Sequence, residues 1–178
     1  YHYLGLALFH TKNYPAAIDA FNKSNALKEH WFSYLLLGLV LLRTNHYLKA
    51  AHATVNANII HNTTIAERQF YDICLQAKNQ KVIDNTFVYF AESSNPNKKL
   101  WAEIYLKKYI LKRIKFSKID PVLLRQASLL VRGNNQKPAS PKDDEKLLYN
   151  LTESSMPREK DLLGISKYHR YVFGVSHS

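Results

Sequence analysis

One serine near the carboxyl end of the sequence could act as a nucleophile. Residues 168–176 are rich in aromatic and β-branched side chains, which is the composition of a strand. Ser176 would lie on the turn that follows this strand, where a hydroxyl can be exposed to a general base, as nucleophilic acyl transfer requires. We expect the base and the residue that orients it to lie outside this chain, so the chain by itself is not expected to be an enzyme.

The residues around this serine are similar to a known catalytic block. The sequence Val172-Phe173-Gly174-Val175-Ser176-His177-Ser178 resembles the first block of SGNH hydrolases, in which a strand leads into Gly-Asp-Ser-His or a close variant. The resemblance implies that Ser176 is the nucleophile, although Val175 stands where that family has Asp or Asn. A strand with a purely structural role is the alternative interpretation.

The sequence does not predict a metal or cofactor site. Its eight histidines are scattered, and pairs such as His46 with His52 or His2 with His10 have no carboxylate or cysteine at ligand spacing. Cys74 is the single cysteine, which excludes an internal disulfide framework. We therefore expect no metal and no cofactor.

The charge is strongly positive and uneven. The 178 residues carry a formal charge of +11 with a pI of about 9.6. Residues 1–95 contain 8 basic and 6 acidic side chains, a net of +2, whereas residues 96–178 contain 17 and 8, a net of +9. Such a balance permits nucleic acid, acidic proteins or anionic membrane surfaces as partners and does not choose among them.

The basic residues of the second half concentrate on one predicted helix, residues 98–118. Lys108, Lys112 and Lys115 are spaced three and four residues apart, which places them on one helix face. The candidates for binding an anionic polymer are Lys107, Lys108, Lys112, Arg113 and Lys115. A solvated helix face without a ligand is the alternative interpretation.

An internal repeat of 33 residues is the most informative pattern in the chain. Several residues that lie 33 positions apart are identical. They pair Tyr1 with Tyr34, Leu4-Gly5 with Leu37-Gly38, Leu8 with Leu41, Tyr14 with Tyr47, and Ala17 with Ala50. Because glycine inside a helix costs about 1 kcal/mol relative to alanine, Gly5 and Gly38 are expected where two helices touch.

This pattern resembles the tetratricopeptide repeat, clearly over residues 1–62 and loosely as far as residue 95. The resemblance implies an all-α fold of stacked helical hairpins, an α-solenoid, with turns at residues 11–13 and 44–46. Thr54 stands where the family usually has an aromatic residue.

The resemblance also implies a concave groove lined by the first helix of each hairpin. Its lining is mostly apolar and would accept an apolar helix or peptide. The groove positions are His2, Leu6, Phe9, His10, Phe32, Leu35, Leu39, Leu42 and Arg43. Leu6 and Leu39 stand where the family's carboxylate clamp has Asn, which argues against a receptor for carboxylate-ended peptides. Coverage of these apolar residues by packing within the chain is the alternative interpretation.

Glycine and proline suggest how the chain is divided. We predict a helical repeat domain at residues 1–132, a linker at residues 133–141 and a C-terminal extension at residues 142–178 that begins another domain. Asp120-Pro121 is a capping pair for the last helix of the first domain, and Gly133 is its expected end.

These observations lead to two hypotheses about function. The first is a non-catalytic scaffold module, a fragment of a larger protein, that binds a protein or peptide partner or a second copy of itself. The second is an N-terminal accessory domain of a larger polysaccharide-acting enzyme (an esterase, acetyltransferase or glycosyltransferase) that uses the basic face for an anionic polymer. Because the apolar runs are too short to cross a bilayer, we predict no transmembrane segment and a cytoplasmic location.

Overall fold

The computed structural model describes residues 1–116, 119–133 and 140–155. The described residues form helices joined by short turns and contain no strand, so the predicted all-α fold of stacked helical hairpins is confirmed. The helices are α1 (His2–His10), α2 (Tyr14–Leu27), α3 (Trp31–Arg43), α4 (Tyr47–Ile60), α5 (Thr64–Ala77), α6 (Gln80–Ala91), α7 (Pro96–Tyr105), a π-helical turn (Leu106–Ile110), α8 (Leu111–Phe116), α9 (Pro121–Arg132) and α10 (Pro141–Ser155).

The chain divides into two compact units, residues 1–86 and 87–178, and the division falls within α6. In the first unit α1 packs against α2 and α3 packs against α4, so each pair is a helical hairpin. The hairpins stack because α2 contacts α3, α4 contacts α5, and α3 contacts both α1 and α5. The 33-residue period therefore corresponds to one hairpin of this stack.

The turns within the first two hairpins have the same geometry. Lys12 and Asn45, which are 33 residues apart, both adopt a left-handed backbone with φ of 60° and 61°. In each turn the amide two residues after the C-cap donates a hydrogen bond to the carbonyl five residues earlier. The Asn13 amide donates to Leu8, and the His46 amide donates to Leu41. This is the Schellman motif, which satisfies the last carbonyls of a helix and reverses the chain. Both turns lie where the sequence predicts them.

The two repeat glycines lie where neighbouring helices are in close contact. A Cβ on Gly5 would lie 2.7 Å from the Phe21 ring, and a Cβ on Gly38 would collide with the Thr54 hydroxyl and lie 2.7 Å from Gln69 Nε2. Phe21 and Thr54 are also 33 residues apart. The expectation that these glycines mark helix contacts is therefore confirmed.

In the second unit, Asn95 is the N-cap of α7, and its side chain accepts hydrogen bonds from the amides of Asn97 and Lys98. After α7 the backbone makes one π-helical turn, in which the Leu111 amide bonds to the Leu106 carbonyl five residues back. Asp120 caps α9 as predicted, since its carboxylate accepts from the Val122 amide at 2.8 Å.

The last described helix, α10, packs against α8 and α9. Asp144 of α10 is buried and accepts a 2.6 Å hydrogen bond from Ser128, and it lies 3.7 Å from Arg125 and 3.6 Å from Arg132. These contacts join α10 to α9 on either side of the predicted linker. Residues 134–139 of that linker and the predicted strand at 168–176 lie outside the described residues, so the division at 133–141 stays a prediction.

Candidate functional site

The first helix presents an apolar face that no described element covers. Tyr3 is 82% exposed and Leu4 is 52% exposed, and Ala7, one turn further on, is also exposed. These three residues lie on one side of α1, because positions three and four apart share a helix face. We call them the edge face.

The repeat supplies an internal reference for this face. The residues 33 positions later are Leu36, Leu37 and Val40, and they are 8%, 6% and 0% exposed. They are buried in a helix, α3, against which the preceding hairpin packs. The edge face is therefore the surface that a preceding hairpin covers in the next repeat.

The predicted groove residues are in mixed environments. Leu35 and Leu42 are buried, and Leu35 packs with Ala57 and Ala66. His2, Leu6, Phe9, Phe32 and Leu39 are partly buried, whereas His10 and Arg43 are exposed. The surface that remains accessible on the groove side is thus smaller than the predicted lining.

His2, which is one of these groove residues, also ties α1 to α3. Its Nδ1 lies 2.6 Å from the Ser33 hydroxyl, and that hydroxyl lies 3.4 Å from Ser24 Oγ. Partial burial lowers the pKa of His2, with smaller contributions from His30 and the chain's amino group. Because Ser33 is only 1% exposed, the pair acts as a structural contact and not as an accessible nucleophile with its base.

The π-helical turn changes the predicted basic stripe. It adds a residue to the turn before Leu111, so residues that follow it are rotated relative to their positions in a continuous α-helix. Lys107 and Lys108 are exposed and Lys112 is partly buried. The neighbouring Tyr105 and Tyr109 are buried. The centroid of the Tyr105 ring lies 4.9 Å from that of Tyr109 and 5.0 Å from that of Trp101.

Arg113 lies inside the second unit instead of on its surface. Only 3% of it is exposed, so it is not available to an external polyanion. The side chain of Lys115 and all of Ser176 lie outside the described residues. The predicted roles of these two residues stay predictions.

Two further classes of site have no candidate among the described residues. No group of three or more His, Cys, Asp and Glu side chains in the described ranges is arranged to hold a metal ion. Within those same ranges, no helix combines the length and the apolar character needed to span a bilayer.

Sequence reasoning missed the edge face. Leu4 was recognised only as half of a repeated Leu-Gly pair, and Tyr3 carried no signal of its own because its counterpart is Leu36. The signal that identifies the face is the difference in burial between equivalent positions, and burial is a property of the folded structure. Apolar residues at equivalent places in a repeat are expected to have similar surroundings where the same hairpins pack on both sides.

Comparison with known proteins adds no relative from which a role could be transferred. No protein-family model, curated protein or solved structure matches the chain.

Proposed function

We propose that the chain is a non-catalytic module, similar to the tetratricopeptide repeat, that holds a partner protein by taking up an amphipathic helix. The observation that carries the proposal is the exposure of Tyr3 and Leu4 where the equivalent Leu36 and Leu37 are buried. The candidate nucleophile Ser176 lies outside the described residues, and the proposal does not use it.

Burial of this face would favour association. Burial of one large apolar side chain contributes about 1.5–3 kcal/mol. Tyr3 and Leu4 together with the neighbouring Tyr1, which is 59% exposed, therefore supply several such contributions. Contiguous exposed apolar surface is also the feature that marks protein interaction sites on soluble domains.

The repeat indicates the chemistry of the partner. The first hairpin packs against α3, and α2 contacts it at Ser33, about one turn before Leu36 and Leu37, since Ser24 lies 3.4 Å from Ser33. A helix with the pattern of α2, small and apolar residues on one side and polar residues on the other, has the right shape for the edge face. Such helix-in-groove recognition is read through anchors one turn apart.

The test uses the full chain and a labelled synthetic peptide with the sequence of residues 14–28 as the probe. Tyr3→Glu and Leu4→Glu should each weaken binding by about tenfold or more, because each places a carboxylate where the bound helix would bury an apolar side chain. Fluorescence anisotropy gives the affinity, and sedimentation velocity shows whether a second copy of the chain competes for the same face.

Leu27→Glu is the matched control. Leu27 is 75% exposed, lies at the end of α2 and is not part of the edge face. Its substitution should leave the affinity unchanged. Equal loss in all three variants, or no binding of the probe by the parent chain, would contradict the proposal.

A further inference from the structure

A cleft opens between α2 and α4, on a part of the first unit that the proposed partner face does not use. Its volume is about 480 Å³, within the range of pockets that hold small molecules. Leu37 and Leu41 of α3 and Ile18 of α2 supply the apolar part of its lining. Leu37 and the groove residue Leu39 are two positions apart on α3, about 200° around the helix, so the cleft is separate from the predicted groove.

The polar part of the lining comes mainly from α4. His46, Lys49 and His52 are spaced three residues apart and all line the cleft. Asn22 and Asn56 add amide groups to the lining. No Asp or Glu is among the lining residues, so the formal charge that the lining carries is the positive charge of Lys49.

Carboxylates near the cleft have partners of their own. Asp19, next to Ile18, is ion-paired with Lys23 at 2.9 Å. Glu29 accepts a 3.0 Å hydrogen bond from the Tyr34 hydroxyl, and Tyr34 is itself a lining residue. Each of these carboxylates thus has a partner other than Lys49.

The start of α4 adds a second source of positive potential to the same place. His46 is the N-cap of this 14-residue helix, and its Nδ1 lies 2.8 Å from Thr44 Oγ1. The amides of the first helical turn have no partner within the helix, and the helix dipole places partial positive charge there. Because His46 and Lys49 both line the cleft, the start of α4 lies at its edge.

Basic side chains at these places are not a requirement of the scaffold. The residues 33 positions before His46, Lys49 and His52 are Asn13, Ala16 and Asp19. The first hairpin thus folds with a neutral, a small and an acidic residue at the equivalent places. The fold of a hairpin therefore does not require basic residues at these three places.

We propose that this cleft binds a small organic anion, an apolar body with one carboxylate or phosphate group, whose charged oxygens lie against Lys49, His46 and His52. The leucines and Ile18 accommodate the body of the ligand, and the α4 side chains fix its charged end. Both carboxylates and phosphate monoesters present this chemistry.

The test measures binding of defined probes to the full chain by isothermal titration calorimetry. Phenylacetate and phenyl phosphate represent the two sources of the charged group, and binding of either one supports the proposal and identifies the source. Inorganic phosphate and benzyl alcohol each carry only half of the ligand. Either half binding as tightly as the intact probes would overturn the proposal.

Two variants test whether the probes bind in the cleft. Lys49 is exposed, so Lys49→Glu should fold normally and weaken binding by about tenfold. Lys81→Glu is the matched control, because Lys81 is an exposed lysine of α6 outside the cleft, and it should change the affinity by less than about twofold.

A second readout does not depend on substitution. Backbone amide resonances of residues 46–49 and 52 should shift when phenylacetate or phenyl phosphate is added to the parent chain. No binding of either probe at about 10 mM, or equal weakening by Lys49→Glu and Lys81→Glu, would show that the cleft is not an anion site.

Discussion

Gln69 Nε2 donates a 2.8 Å hydrogen bond to Thr54 Oγ1, which joins α5 to α4 directly opposite Gly38. The same nitrogen donates to the Leu35 carbonyl at 2.9 Å, so one amide group connects three helices. In the first hairpin the place of Thr54 is taken by Phe21, whose ring fills the space beside Gly5. A threonine and a glutamine from the next helix thus replace one aromatic ring, which explains why the repeat tolerates the departure at Thr54.

The crowding at this point predicts the effect of a single methyl group. Gly38→Ala should lower the free energy of unfolding by about 1–2 kcal/mol, because overpacking outweighs the gain in helix propensity. Urea unfolding followed by circular dichroism measures the change. Adding Thr54→Ala should make the Gly38→Ala substitution less costly, and a Gly38→Ala protein as stable as the parent would contradict the contact.

The buried carboxylate of the second unit gives a second prediction. Asp144 is 2% exposed and is held by Ser128 and two arginines that are partly exposed. Asp144→Ala should lower stability by about 2–3 kcal/mol, because it leaves the Ser128 hydroxyl and the arginines without their buried acceptor. Hydrogen exchange of the α9 and α10 amides reports the loss locally. Glu145→Ala, an exposed neighbour on α10, should have little effect.

The first unit should lose stability in mild acid. Burial lowers the pKa of His52, and it is the largest cause of the lowered pKa of His2. The folded state therefore binds fewer protons than the unfolded state just below the ordinary histidine pKa of about 6.5, and stability falls as the pH falls through that value. His52→Gln should reduce this dependence, whereas His10→Gln, at an exposed position, should retain it. Melting temperatures measured from pH 7.5 to 5 compare them, and a slope unchanged by His52→Gln would contradict the assignment.

The fold was predictable because its signals are local and repeated. The positions of Gly5 and Gly38, the turns at residues 11–13 and 44–46, and the Asp120 cap all follow from backbone chemistry that the sequence expresses directly. The π-helical turn at Leu106–Ile110 was not predictable, since its residues are ordinary helix formers. The cleft combines side chains from three helices, and such convergence depends on how the helices pack.

Substitution of the buried Arg113 should lower stability more than substitution of the exposed lysines near it. Arg113→Gln should lower the melting temperature, with a cost of about 1–3 kcal/mol, because the buried guanidinium and its stem pack inside the second unit. Lys107→Gln and Lys108→Gln should change stability by less than about 0.5 kcal/mol, since both lysines are exposed. Differential scanning calorimetry distinguishes the two classes. Equal effects of the three substitutions would place Arg113 at the surface.

A comparison of Leu39→Glu with Leu4→Glu decides which surface holds the partner helix. Leu39 lies on the groove side of α3 and is partly buried, whereas Leu4 belongs to the edge face of α1 and is 52% exposed. If the partner covers the edge face, Leu4→Glu should abolish most of the binding of the α2 peptide, while Leu39→Glu changes its affinity by no more than about twofold. Circular dichroism must first show that both variants keep the helical content of the parent.

The opposite result would be equally specific. Loss of binding in Leu39→Glu, with Leu4→Glu unaffected, would place the partner in the groove that the repeat pattern predicts. A helix seated there would have to contact Leu6, Phe9 and Phe32, because these apolar groove side chains, like Leu39, are only partly buried. Phe9→Ala would then weaken binding by about tenfold, since an aromatic anchor in such a contact contributes about 1.5–3 kcal/mol.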